Sequence, residues 1–207
     1  EIAIAAIQAG ADAVYIGAPQ FGARYAASNS LEDIAQVVAY AHPYHVEVLV
    51  TLNTLLHDDE FEAAVSMAHD LYSIGVDALI IQDLRLLDYP LPPIRLHAST
   101  QCDNRTVQQV QYLESKGFSR VVLARELSLD EIRSIRHQTT IELEAFIHGA
   151  LCVSYSGRCY ISEVLMDRSA NRGCCAQYCR MRYDLLDENM EEIKDAEGKP
   201  IHQRYLL

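Results

Sequence analysis

Short runs of apolar, β-branched residues alternate with amphipathic stretches from residue 1 to about residue 147, and this alternation constrains the fold more than any other feature. "DAVYIG", "VEVLVTLN", "DALIIQ", "IRLHAST", "SRVVLA" and "IELEAFIHG" read as six strands, most of them too continuously apolar to keep one face in water. "EIAIAAIQAG", "LEDIAQVVAYA", "DEFEAAVSMAHDLYSIG", "RTVQQVQYLESKG" and "LDEIRSIRHQ" read as helices. In the third of these, Phe61, Val65, Ala68 and Leu71 share one face. Asp59 with Glu62, and Ser128 with Glu131, have the spacing of capping boxes, and Gly75 suits a left-handed helix end. "QAGADAVYIG", "SIGVDALIIQ" and "SKGFSRVVLA" form a weak repeat, each running from a helix end through glycine into a strand.

This pattern implies a parallel sheet covered by helices. One further strand is expected before residue 1 and one after residue 207, which makes eight. The expected fold is therefore α/β, a (β/α)8 TIM-barrel-like domain truncated at both ends, with a cysteine-rich segment after the last visible strand. No glycine-rich dinucleotide fingerprint follows any strand, which weighs against an open doubly wound sheet. The expected division is a βα-repeat portion over 1–147 and a Cys/Arg-rich segment over 148–207, packed at the barrel mouth and continuing beyond it.

Barrels of this kind carry their chemistry at the carboxyl ends of the strands. Those ends here supply Gly17, Thr51, Asn53, Gln82, Asp83, His97, Ser99, Gln101, Arg125, Glu126 and His148. The loop "FGARYAASN" adds Asn29 and Arg24, the latter a candidate anchor for a carboxylate or phosphate. No apolar run approaches the roughly 20 residues of a membrane span, and no basic-then-apolar leader opens the chain. A cytoplasmic protein without membrane association is expected.

The formal charge of −12 is unevenly spread. Between residues 158 and 182, Arg158, Arg168, Arg172, Arg180 and Arg182 face only Glu163 and Asp167, a local +3 in an otherwise acidic chain. Such an island points either to an anionic ligand or to arginines paired with nearby acids. Five of the six cysteines crowd into residues 152–179, in "LCVSYSGRC" and "GCCAQYC". Without an export signal, this crowding reads as a thiolate site rather than a set of disulfides. Soft ligands so grouped favour zinc or an iron–sulfur centre, although neither the zinc-ribbon nor the ferredoxin spacing is present. A nucleophilic Cys152 served by His148, or plain structural packing, are the other readings.

"EAFIHGALCVSYSGRCYIS", residues 144–162, resembles the signature of peptidase family U32, the collagenase-like proteins. Glu144, Phe146, Gly149, Ala150, Leu151, Cys152, Gly157, Cys159, Ile161 and Ser162 fall where that pattern asks. "GADAVYIG", "LHASTQ", "VVLARELSLDEI" and "RSANRGCCAQYCR" are similar to other family segments, so the resemblance covers nearly the whole chain. It implies one of two activities. One is the collagenase-like endopeptidase of the family name. The other is oxygen-independent hydroxylation of an RNA base in tRNA or 23S rRNA, with prephenate as co-substrate and a 4Fe-4S cluster as cofactor.

Carried onto this chain, the resemblance makes Cys152, Cys159 and Cys175 cluster ligands, with Cys179 as the in-range fourth and zinc as the alternative metal. His148 and Glu126 become the candidate proton-moving residues. Arg24, Asn53, His97, Gln101, Arg125, Arg158 and Arg180 become candidate substrate-binding residues. Cys174 is left unassigned, and Cys102 reads as a small buried hydrophobe. No HExxH helix or GxSxG elbow supports a peptidase, and Pro43 breaks the helix that His42 and His45 would need as a zinc-binding pair. An RNA-binding module with a structural metal is the remaining expectation.

Overall fold

The computed structural model describes residues 1–24, 29–181, 183–184, 186–200 and 202–203. All six expected strands form: β1 (Ala13–Gly17), β2 (Glu47–Leu52), β3 (Ala78–Ile81), β4 (Arg95–Ala98), β5 (Arg120–Val122) and β6 (Glu142–Glu144). They pair in chain order, every neighbour parallel. Helices α1 (Ile2–Gln8), α2 (Leu31–Ala41), α3 (Phe61–Ser73), α4 (Val107–Ser115) and α5 (Leu129–Gln138) lie between or before them. After β6 come α6 (Ile161–Met166) and a separate antiparallel pair, β7 (Tyr183–Asp184) and β8 (His202–Gln203).

Side chains alternate across the sheet. Val48, Val50, Leu52, Leu79, Ile81 and Ala98 point outward and join Ile34, Val38, Phe61, Ala64, Leu71, Val110, Leu113 and Ile135 from the helices in one apolar core. The inward apolar cluster is small, comprising Leu49, Ala78 and Ile80 with Ala13 packed against them. Most of the remaining inward positions are polar and pair across strands. Arg95 reaches Glu47 at 2.6 Å, and Arg120 reaches Glu142 at 2.9 Å and Glu144 at 3.6 Å. The Tyr15 hydroxyl on β1 donates to Glu144 on β6, so the sheet curls until its two edge strands meet through side chains. Burial, followed by this bond to a carboxylate, raises the Tyr15 pKa well above the usual tyrosine range. The architecture is a six-stranded parallel sheet curled into a half-barrel.

Two local expectations need correction, and one capping box was not foreseen. The Asp59–Glu62 capping box does not form: Glu60 occupies the N-cap of α3 without a side-chain cap, its carboxylate taken by the His57 amide and by Arg172. Ser30–Asp33 does form a box on α2, alongside the expected Ser128–Glu131 box on α5. The sixth strand stops at Glu144, because an edge strand has no partner to extend its ladder, and Phe146 and Ile147 are exposed.

Candidate functional site

The carboxyl ends of the strands are tied together before any ligand enters. Asn53, buried at the end of β2, accepts the Ala23 amide at 2.9 Å and donates to Ser99 Oγ at 3.2 Å. Asn104, fully buried, donates to the carbonyls of Ser99 and Val122 at 2.8 Å each, pinning the ends of β4 and β5 together. His97 faces inward from β4, buried, and among the described residues neither ring nitrogen has a hydrogen-bond partner. Burial, and then the charges of Arg120 and Arg95, push its pKa down to about 4, so it is neutral near pH 7. The side-chain carbonyl oxygens of Gln82 and Gln101 are likewise buried without partners among the described residues.

Over this polar floor lies the first cysteine loop. Glu126, in the loop after β5, accepts from both the amide and the hydroxyl of Ser156 at 3.1 Å. Arg158 pairs with Asp103 at 2.5 Å. Arg105 binds Asp103 as well, approaches Glu126 at 3.8 Å and lies 4.0 Å from the centre of the Tyr155 ring. Gly157 has φ +77°, and a Cβ there would come within 1.9 Å of the Gln101 carbonyl oxygen. Glycine is therefore the residue this contact admits. Four consecutive residues between Cys152 and Cys159 are thus fastened to the β4–α4 and β5–α5 loops.

The second cysteine stretch is fastened to the end of β2. Arg172 makes a two-pronged ion pair with Glu60, at 2.7 and 2.8 Å, and donates to the Leu55 carbonyl. Arg172, helped by the His57 amide that donates to the same carboxylate, holds the Glu60 pKa down at about 2. The Leu55 amide donates to the Asn171 carbonyl, and Asn171 Nδ2 donates to the Cys159 carbonyl, joining the two stretches. Ser162, fully buried on α6, accepts the Ala176 amide at 3.1 Å and lies 4.0 Å from Cys175 Sγ. The Gln177 amide donates to the same sulfur at 3.3 Å.

Burial raises the Cys179 pKa, and the neighbouring thiols of Cys152, Cys175 and Cys159 raise it further, while Arg180 opposes them. Each of those three thiols therefore lies within electrostatic reach of Cys179. Cys174 instead acts on Arg172, and Cys102 donates to the carbonyls of Ile81 and Gln82 at 3.5 Å, its pKa pushed up to about 12 by burial. All six cysteines are free. Among the described residues no three His, Cys, Asp or Glu side chains converge tightly enough to hold a single metal ion. The donor set is nonetheless all thiol, the soft chemistry that zinc and iron–sulfur clusters take.

The other candidate residues fall into two groups. Gln101 and Asn53 lie beneath the cysteine loop, and Glu126 and Arg158 anchor it. His148 and Arg24 are exposed and, among the described residues, make no side-chain hydrogen bond or ion pair. Arg125 has its Nε unpaired and its guanidinium 6.0 Å from the Phe146 ring. The basic island is partly neutralised, since Arg158 and Arg172 are paired and Arg182 falls outside the described residues. Asp103, Arg105, Glu60 and Asn171 escape a reading of the sequence, because the contacts that tie them to the site, to Arg158, Tyr155, Arg172 and Leu55, span fifty residues or more. Asp103, a non-glycine residue at φ +60°, carries no sequence mark that distinguishes it from any loop aspartate.

A family model of peptidase family U32 matches residues 1–207. The chain belongs to peptidase family U32. Within the family it is 59% identical over 187 residues to a 23S rRNA 5-hydroxycytidine C2501 synthase of Escherichia coli, covering 90% of this chain and 29% of that protein. It is 39% identical to a tRNA hydroxylation protein P1 of Bacillus subtilis, covering 87% of this chain and 44% of the relative. A protein named collagenase from Porphyromonas gingivalis is 32% identical, over 97% and 52% of the two chains. This chain thus spans well under two thirds of each of these relatives. A solved U32 peptidase shares the fold at a TM-score of 0.58 and 14% identity, over 69% of this chain and 63% of that one.

Proposed function

We propose that this chain is part of an RNA hydroxylase that replaces a ring C–H of a base with C–OH without molecular oxygen, using prephenate as the hydroxyl source. The observation that carries the reading is the 59% identity to a 23S rRNA hydroxycytidine synthase across nearly the whole chain, cysteine segment included. RNA is then the macromolecular partner and the cytoplasm the compartment. No described helix is long and apolar enough to cross a membrane. The curled sheet is read as six strands of a (β/α)8 barrel, with residues 1–147 as the scaffold and 148–207 as the segment at its mouth.

Cys152, Cys159, Cys175 and Cys179 would hold a 4Fe-4S cluster, which supplies electron-transfer or Lewis-acid chemistry at the mouth. The Gln177 amide and the Ser162 hydroxyl would offset thiolate charge on Cys175. Arg180, beside Cys179, and Arg24 are cations without carboxylate partners among the described residues, and are suited to a carboxylate or phosphate. The unpaired nitrogens of His97 and the unpaired oxygens of Gln82 and Gln101 offer hydrogen bonds to a small polar co-substrate. Arg125 stands at the same rim. Arg158 and Glu126 act on the loop that bears the thiols, and His148 is left as the exposed proton carrier. The endopeptidase reading needs either Cys152 and His148 as a pair, which no hydrogen bond joins in this structure, or a metal centre.

The test is iron and acid-labile sulfide content, with an absorption spectrum, on full-length protein purified without oxygen, followed by mass spectrometry of RNA incubated with it and prephenate. About four irons and four sulfides per chain, lost in Cys152→Ala together with RNA hydroxylation, is the expected result. A colourless, iron-free protein that cleaves gelatin would overturn the reading. Zinc in place of iron would overturn the cluster.

A further inference from the structure

Tyr155 stands between two of the clustered thiols, three residues after Cys152 and four before Cys159, and its side chain is 59% exposed. An exposed tyrosine ordinarily samples several rotamers. This one is pinned. One face of its ring rests on the Arg105 guanidinium, 4.0 Å from the ring centre. Arg105 is itself held by Asp103, through Nε and through Nη2 at 3.1 Å, and lies 3.8 Å from Glu126. The next three residues are fixed in turn, Ser156 by Glu126, Gly157 by its close approach to Gln101, and Arg158 by Asp103. The fold thus presents a flat aromatic ring, with little freedom left to lose, beside the thiols.

We propose that Tyr155 is the stacking platform for the unpaired nucleobase that is modified. The proposal rests on the hydroxylase reading and adds the residue that holds the target base. The charge balance around the ring specifies the ligand class. Arg105 and Arg158 are matched by Asp103 and Glu126, so the patch is close to neutral and poorly suited to a phosphate. An uncharged base, by contrast, gains from stacking on an aromatic ring whose far side carries a cation, and pre-ordering of the ring lowers the entropic cost of binding. RNA phosphates would be met elsewhere, by arginines without carboxylate partners among the described residues such as Arg168 and Arg180. Base–aromatic stacking is lost roughly ten-fold or more in affinity when the ring is removed.

The experiment uses the full-length, cluster-loaded protein and a short RNA hairpin with an unpaired cytidine. Tyr155→Phe is expected to bind and hydroxylate within about two-fold of wild type. Tyr155→Leu keeps bulk over Arg105 without a π face, and is expected to lose about ten-fold or more in RNA affinity with iron content unchanged. Tyr155→Trp adds an indole reporter at the site, read as the emission it adds to that of the full-length wild-type protein. Its emission is expected to be quenched by the hairpin and not by a fully paired duplex. Wild-type affinity and turnover in Tyr155→Leu, or unquenched emission from Tyr155→Trp while the hairpin is bound, would overturn this inference and leave the hydroxylase reading standing. Failure of the wild-type protein to hydroxylate any RNA would overturn both.

Discussion

The half-barrel and the cysteine segment are held by different forces. The sheet buries β3 completely and packs two layers of aliphatic side chains, so its stability is spread over dozens of contacts. The segment from Phe146 to Met181 buries little that is apolar. Ile147, Leu151, Tyr155, Tyr160, Val164 and Leu165 are all more than half exposed. What fixes it is a short set of directional contacts: Glu126 to Ser156, Asp103 to Arg158, and Glu60 to Arg172. A region built this way can be aligned closely over a site, but it depends on a few partners and gains most from a cross-link such as a metal cluster.

Substitutions can break that contrast from either side. The largest effect is expected from Leu79→Ala, in the fully buried layer between sheet and helices. It should cost roughly 3 kcal/mol of global stability, measured as a lowered urea midpoint with an unchanged slope. If the contrast holds, the cysteine segment of the folded variant stays as protease-resistant as in the wild type. Gly157→Ala should cost roughly 2–3 kcal/mol, but locally, because the loop can lift away from Gln101 without disturbing the sheet. Tryptic cleavage after Arg158 should then accelerate about ten-fold or more while the urea midpoint stays in place.

Glu60→Gln is expected to loosen the second stretch by roughly 1–2 kcal/mol, since about a quarter of each partner remains in water. Its pH dependence has a definite sign. The folded Glu60 pKa of about 2 lies below the ordinary 4.5, so the pair contributes fully above pH 4.5 and is lost as pH falls toward 2. Protease sensitivity around Arg172 should rise across that window in wild type and stay flat in Glu60→Gln. The smallest effect is expected from Glu126→Gln, which keeps an acceptor for Ser156 and should cost about 1 kcal/mol or less. If the proposed hydroxylation is found, a hundred-fold fall in it with the loop still protease-resistant would instead make Glu126 a proton carrier.

The strands and most helices were legible because each depends on periodicity within a dozen residues, and α2 and α5 begin and end where their patterns do. The Asp59 cap was misread for a reason outside that window: Arg172, 112 residues away, claims the neighbouring Glu60. The family resemblance singles out four thiols as candidate ligands, but the contacts that aim their loops are not readable from it. Asp103, Arg105 and Glu126 look like ordinary loop charges until strand curl brings them under residues 155–158. Thus the sequence alone determined a parallel βα scaffold and a thiol-rich segment after it, since local hydrophobic periodicity and residue type suffice for both. Only the tertiary structure decided which charges hold that segment, which polar groups are left unpaired beneath it and which aromatic ring faces outward, because those follow from how far the sheet curls and where distant loops meet.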